Sequence, residues 1–348
     1  MIKKLIFLLI IVQLISCTGK EDIDPDTIQI EEGGVFILNE GNFSAANSSL
    51  SYYFPATSEI NNNLFYQVND VPLGDVAQSM TINKNIVYLI INNSGNVYGI
   101  NRETLEFEGK ISGLISPREM VFINDQKAYI SDLYSTAITI VNPENFEITG
   151  NIEIGKSSEC MVKSGNRILV ANWSAYNQTG INNTIMVIDT ETDALIDSIV
   201  VGIEPNSVVI DRDELLWVMC SGGFMNDELP TLWKINPGTL EVEKALTFTN
   251  ILQSPDNLCI NGTLDTLYFL NKGVFCMSVY DQELPDDTII SEDDNNYYAV
   301  GIDPVTNEIY VSDVLDYNQN GMVFRYSPTG NLISSFEAGI IPGCFEFN

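Results

Sequence analysis

Seven copies of one short apolar motif, each followed by a second strand-like run and a turn, predict an all-β chain folded as a seven-bladed β-propeller. The first copy is Val35-Phe36-Ile37-Leu38-Asn39 and the second is Val87-Tyr88-Leu89-Ile90-Ile91-Asn92. Further copies centre on Tyr129, Leu169, Trp217, Tyr268 and Tyr310. Most end in Asn or Asp, and they recur roughly every 40 to 52 residues. β-rich units at that period are propeller blades, so seven copies give seven blades. No segment holds a 3.6-residue apolar period over three turns, which argues against a helical repeat.

Each unit carries a second half. Val97 to Asn101, Ile138 to Asn142, Ile185 to Asp189, Leu232 to Asn236 and Val323 to Ser327 read as short strands. Several run into Asn-Pro or Ser-Pro turns, as at Asn142-Pro143, Asn236-Pro237 and Ser327-Pro328. Asn or Ser followed by Pro is type I turn chemistry. A fourth strand follows, as from Ile148 to Ile154, which completes a four-stranded blade.

The two ends are complementary halves. Ile341-Pro342-Gly343-Cys344-Phe345-Glu346-Phe347 matches the strand that precedes the motif elsewhere, as at Ser116 to Phe122, but no motif follows it. The first motif, at Val35, has no strand before it. Together the termini are expected to make one blade, closing the ring with no free sheet edge between first and last blades.

Ahead of the repeats stands an export segment. Lys3 and Lys4 precede the apolar run Leu5 to Val12, which is too short to span a bilayer. Leu14-Ile15-Ser16-Cys17 then resembles the bacterial lipobox, in which the Cys thiol takes a diacylglycerol. Residues 1–16 are therefore expected to be a signal peptide, 17–32 a lipidated Cys17 with its tether, and 33–348 the propeller.

Composition narrows the function. The formal net charge is −31, which becomes about −33 once Lys3 and Lys4 leave with the signal. Such a chain repels nucleic acid and anionic lipid head groups, so the membrane is approached through the lipid anchor only. There is no His, which removes Ser-His-Asp and Cys-His machinery and His-ligated zinc. Five Cys remain after Cys17, without a C-x-x-C pair, and read as small buried hydrophobes. The acidic run from Asp281 to Asp294 lacks calcium-loop spacing and reads as a solvated loop. No catalytic residue, metal or cofactor is expected.

In a propeller the loops after each second strand share one face with the crossings between blades. Those loops hold Phe43, Tyr134, Trp173, Tyr176, Phe224, Met225 and Tyr317, and the crossings add Gln78, Arg118, Glu119, Glu159, Asn206, Asp256, Asn257 and Tyr298. Aromatics beside amides and one Arg suit a large, flat, amide-bearing ligand. The candidate contacts are Phe43, Gln78, Arg118, Tyr134, Trp173, Tyr176, Asn206, Phe224, Asn257, Tyr298 and Tyr317. Asn206, Asn257 and Arg118 are expected to bond ligand amide or phosphate groups. The competing reading is that Trp173, Tyr134 and Phe224 pack between blades or under their own loops.

Asn39-Glu40-Gly41-Asn42, Leu73-Gly74-Asp75-Val76-Ala77-Gln78-Ser79-Met80, Asn92-Asn93-Ser94-Gly95 and Ile235-Asn236-Pro237-Gly238-Thr239-Leu240 resemble phrases of the YncE-type seven-bladed propellers. Within that group they are similar to the surface lipoproteins of the BtuG vitamin B12-binding kind. The resemblance covers about residues 33–348. It implies capture of a cobamide, or a similar nutrient, and its transfer to a TonB-dependent outer-membrane transporter. Lys20-Glu21-Asp22 resembles the signal that sends such lipoproteins to the cell surface. Two other readings stay open: an adhesive surface protein that binds protein or glycan, and a lactonase-like enzyme with a carboxylate-held metal in its channel.

Overall fold

The computed structural model describes residues 30, 32–175, 178 and 180–348. Its seven sheets each have four antiparallel strands and stand around one axis as a seven-bladed propeller. In every blade the motif forms the second strand from the axis. Val35–Asn39, Leu216–Cys220 and Ile309–Asp313 are buried at every position. Both faces of these strands pack against neighbouring blades, so the sequence shows a continuous apolar run and not an alternation. The outer strand Glu147–Glu153 is mostly exposed, as expected at the rim.

The core is divided among the blade interfaces. Leu169, Ala171 and Val187 of the fourth blade meet Leu216, Val218 and Cys220 of the fifth. Val35, Ile37 and Tyr53 of the first blade meet Tyr310 and Val323 of the seventh. The hairpin turns at the opposite end from the long loops use the predicted chemistry. Asn142 Oδ1 accepts the Glu144 N–H at 3.0 Å, and Asn236 Oδ1 accepts those of Gly238 and Thr239 at 2.9 and 3.0 Å.

Closure joins the chain ends as the unmatched halves require. Pro342–Phe347 is the innermost strand of the first blade and pairs with Val35–Asn39, Ile37 opposite Phe345 and Leu38 opposite Cys344. The one α-helix among the described residues, Leu64–Asn69, has six residues, too few to show a helical period in sequence. It plugs Leu64 and Phe65 into the core between the first and second blades.

The five Cys are free thiols, Cys160 and Cys220 buried and Cys259, Cys276 and Cys344 half-buried. Among the described residues, no helix is long and apolar enough to cross a membrane. No three His, Cys, Asp or Glu converge on a metal position among those residues, the Asp281 to Asp294 run included.

Candidate functional site: an axial funnel

Each inner strand starts on the face that the long loops share. In six of the seven blades its pairing with the second strand is broken there by a β-bulge or register shift. A bulge adds unpaired residues and re-aims a side chain. The residues so displaced include Gln78, Arg118, Asn206, Asn257, Tyr298 and Gly343. Glu159 holds the corresponding place in the fourth blade, just ahead of Met161–Ser164. All seven line one axial cavity of about 470 Å3.

The ring has six polar side chains and one gap. A Cβ on Gly343 would lie 2.5 Å from Glu40 Oε1 and 2.8 Å from its Cγ. The missing side chain is thus the space that the Glu40 carboxyl occupies. Tyr298 donates its hydroxyl to Glu40 Oε1 at 2.9 Å. Glu40 was not among the candidates read from sequence. The available signal was the glycine itself, which leaves one ring position for another residue to fill.

Electrostatics inside the funnel are dominated by carboxylates. Arg118 Nε donates to both Glu159 oxygens at 2.8 and 2.7 Å, its Nη2 reaches Oε1 at 2.5 Å, and its Nη1 donates to Gln78 Oε1 at 2.5 Å. Burial opposes the guanidinium charge, but Glu159 outweighs it and holds the Arg118 pKa above its ordinary value. Burial pushes Glu40 up to about 7, with the Tyr298 bond and Arg118 offsetting only part of the effect. Burial likewise carries Glu119 to about 7, although its Oε2 accepts the Met161 N–H at 2.8 Å. Asp256 rises to about 6 for the same reason.

Aromatic side chains form the mouth. Trp173 and Phe224 stack with centroids 5.6 Å apart and planes at 25°, and Tyr317 packs edge-on to Tyr298 at 6.0 Å. Trp173 is locked from its backbone. Ser157 Oγ donates to its carbonyl at 2.5 Å, and the following Ser174 N–H is held by Glu204 Oε2 at 2.7 Å. Its indole Nε1 is buried with no partner among the described residues.

The structure brings Gln78, Arg118, Trp173, Asn206, Phe224, Asn257 and Tyr298 to one cavity wall, with Tyr317 joined through Tyr298. Phe43 and Tyr134 are exposed and do not line it. Tyr176, Cys17, Lys20, Glu21 and Asp22 lie outside the described residues. Several polar groups expected to meet a ligand are committed to the protein. Asn206 Nδ2 donates to the Pro255 carbonyl at 2.8 Å and Asn257 Nδ2 to that of Tyr298 at 3.2 Å. Arg118 is neutralised by Glu159, so the phosphate contact expected of it has no free positive charge behind it.

A seven-bladed propeller with a polar axial funnel is the class that fold and site define. Within that class the chain belongs to the DUF5074 family, described as a domain of unknown function, whose model matches residues 33–339. No curated protein sequence matches it. Among solved structures it is similar to a quinoprotein alcohol dehydrogenase-like protein from Bacteroides thetaiotaomicron VPI-5482. That likeness has 12% identity and a TM-score of 0.72, over 92% of this chain and 79% of the other. It is also similar to a protein from Lactobacillus plantarum, with 11% identity and a TM-score of 0.67, over 91% and 100% of the two chains. A lactonase-like protein from Bacteroides fragilis NCTC 9343 follows at 12% identity and a TM-score of 0.64, over 91% and 98%. At such identities the likeness is one of fold, and fold alone assigns no chemistry.

Proposed function

We propose that this protein is a lipid-anchored cell-surface lipoprotein. It binds a nutrient at the axial funnel, without chemistry, and passes it to a TonB-dependent outer-membrane transporter. The carrying observation is the convergence of six blades' bulge residues and the Trp173–Phe224 stack on one cavity. Packing between blades does not require these side chains to meet around one open cavity beside exposed aromatic faces.

The exit of the tether supports capture from outside. Gly33 N–H donates to the Asn348 carbonyl at 2.8 Å, and Ile30 N–H to that of Glu103 at 3.4 Å. Both partners lie at the end of the propeller opposite the funnel. A lipid on Cys17 would therefore hold the funnel away from the membrane, on a tether of residues 18–30 reaching at most about 45 Å.

The candidate nutrient is a cobamide or a compound of similar size. A cavity of about 470 Å3 suits a drug-sized group. A cobamide would insert one arm and rest its body on the exposed side chains of Phe43, Phe224, Met225 and Tyr317. Calorimetric titration of the Cys17→Ala chain with cyanocobalamin tests this. Binding is expected, and losing Trp173 and Phe224 to Ala should weaken it by about 30- to 1,000-fold. No heat at high micromolar ligand rejects the cobamide.

A further inference from the structure

The charges facing the funnel do not balance. Four carboxylates line it, those of Glu40, Glu119, Glu159 and Asp256, against one cation, Arg118. Arg118 is spent on Glu159 through contacts of 2.5 to 2.8 Å. Among the described residues, Glu40, Glu119 and Asp256 have no Lys or Arg in ion-pair range. Their direct partners are neutral: the Tyr298 hydroxyl for Glu40, the Met161 N–H for Glu119, and Asn257 beside Asp256, with Arg118 acting on Glu40 and Glu119 only from a distance. A carboxylate offers about four acceptor positions, so most of this capacity is open to whatever enters.

Each ligand class meets that wall differently. A phosphate or carboxylate faces three uncompensated acids and a guanidinium already neutralised. A neutral amide supplies donors but no charge. An ammonium supplies three donors together with the missing charge, and charge-assisted bonds are the stronger kind. Aromatic faces beside the cavity, on Trp173, Phe224 and Tyr298, add cation–π attraction.

We propose that the funnel is an ammonium subsite: the group it takes is a protonated amine, held by Glu40 and Glu119 beneath the aromatic mouth. This rests on the funnel being a ligand site and not on the ligand being a cobamide. Proton linkage follows from the same wall. Glu40 faces Tyr298, Arg118, Glu159 and Cys344; Glu119 faces Arg118, Glu159, Cys160 and Cys344. Burial holds both acids up to about 7, so an entering ammonium displaces their protons.

Three compounds on one carbon skeleton test the proposal: 2-amino-3-phenyl-1-propanol, a cation throughout the range used; 3-phenyl-1-propanol, neutral; and 3-phenylpropanoate, an anion. Each is titrated calorimetrically into the full chain in detergent. The amine is expected to bind at least about tenfold more tightly than the alcohol, with no binding of the anion. Its affinity should rise from about pH 5.5 to about pH 8, as the funnel acids ionise. Glu40→Gln and Glu119→Gln, each still folding cooperatively, should weaken it by about tenfold. The proposal is overturned if the alcohol or anion binds as tightly as the amine. It is equally overturned if none of the three binds, or if folded Glu40→Gln and Glu119→Gln chains keep full affinity. Cyanocobalamin is titrated alongside. Amine binding without cobamide binding leaves the subsite standing and removes the cobamide, while the reverse result removes the subsite alone.

Discussion

Tyr298 in the seventh blade donates its hydroxyl to Glu40 in the first, 2.9 Å away, in the space that Gly343 leaves by having no side chain. Three residues far apart in sequence thus make one wall of the funnel. Gly343→Ala should push the Glu40 carboxyl out of that position. Ligand affinity is expected to fall by about tenfold, with Tyr298→Phe giving a smaller loss. Tyr134→Ala, outside the funnel, should change neither. An unaltered affinity in Gly343→Ala would show that Glu40 takes no part.

Ring closure depends on the last strand. Phe345 is buried against Tyr310 at the interface of the seventh and first blades. Phe345→Ala should cost about 3 kcal/mol, read as a lower urea midpoint at constant slope. Deleting residues 341–348 should abolish the cooperative transition, because the second strand of the first blade then becomes an unpaired inner edge. Unchanged melting in the deletion would refute closure by the C-terminal strand.

Asp211 joins the second and third strands of the fifth blade through side chains. Its Oδ2 accepts the Trp217 indole N–H at 2.8 Å and lies 3.6 Å from Lys234 Nζ, which sits over the Trp217 ring at 5.0 Å. Asp211→Ala leaves the buried Trp217 indole N–H without its acceptor and the largely buried Lys234 ammonium without its counter-charge, with only the Val279 carbonyl at 3.1 Å left to it, at a cost of about 3–5 kcal/mol. Asp211→Asn keeps one acceptor and should cost less. Equal stability of the two variants would contradict a role for the acceptor, and wild-type stability in Asp211→Asn would contradict a role for the charge.

Stability should fall as pH rises through neutrality. Burial raises the carboxyls of Glu40, Glu119 and Glu346 from 4.5 to about 7. Between those values the folded chain holds protons that the unfolded chain has released, so the folded state is favoured at the acid end and loses that advantage as pH passes about 7. The melting temperature is expected to be higher at about pH 5 than at about pH 8. Glu119→Gln should narrow the difference. A difference that stays the same in this variant would exclude Glu119 as a contributor.

The anchor is tested in cells. Radiolabelled palmitate should enter the wild-type chain and not Cys17→Ala. Replacing Lys20, Glu21 and Asp22 by Ala should leave labelling intact and reduce protease access on whole cells. Label on Cys17→Ala would disprove the lipobox reading.

Blade number, strand order and closure were legible in the amino-acid sequence because each blade is a local unit. A strand buried on both faces must be apolar at nearly every position, so Val35–Asn39 and Leu216–Cys220 announce themselves without reference to the rest of the chain. The crossings betrayed their shared face by the same period, and that placed Gln78, Arg118, Asn206, Asn257 and Tyr298 together. The sequence could not show how those groups are spent. Only the assembled ring sets the Arg118 guanidinium against Glu159, and only the fold leaves Tyr134 exposed and off the cavity wall. Glu40 entered the funnel only because Gly343, about 300 residues later in the sequence, leaves room. Periodic burial is a property of neighbours along the chain, and the residues carry it themselves. The charge balance of the funnel depends on bulges and gaps at the ring's centre, which exist only when all seven blades are in place.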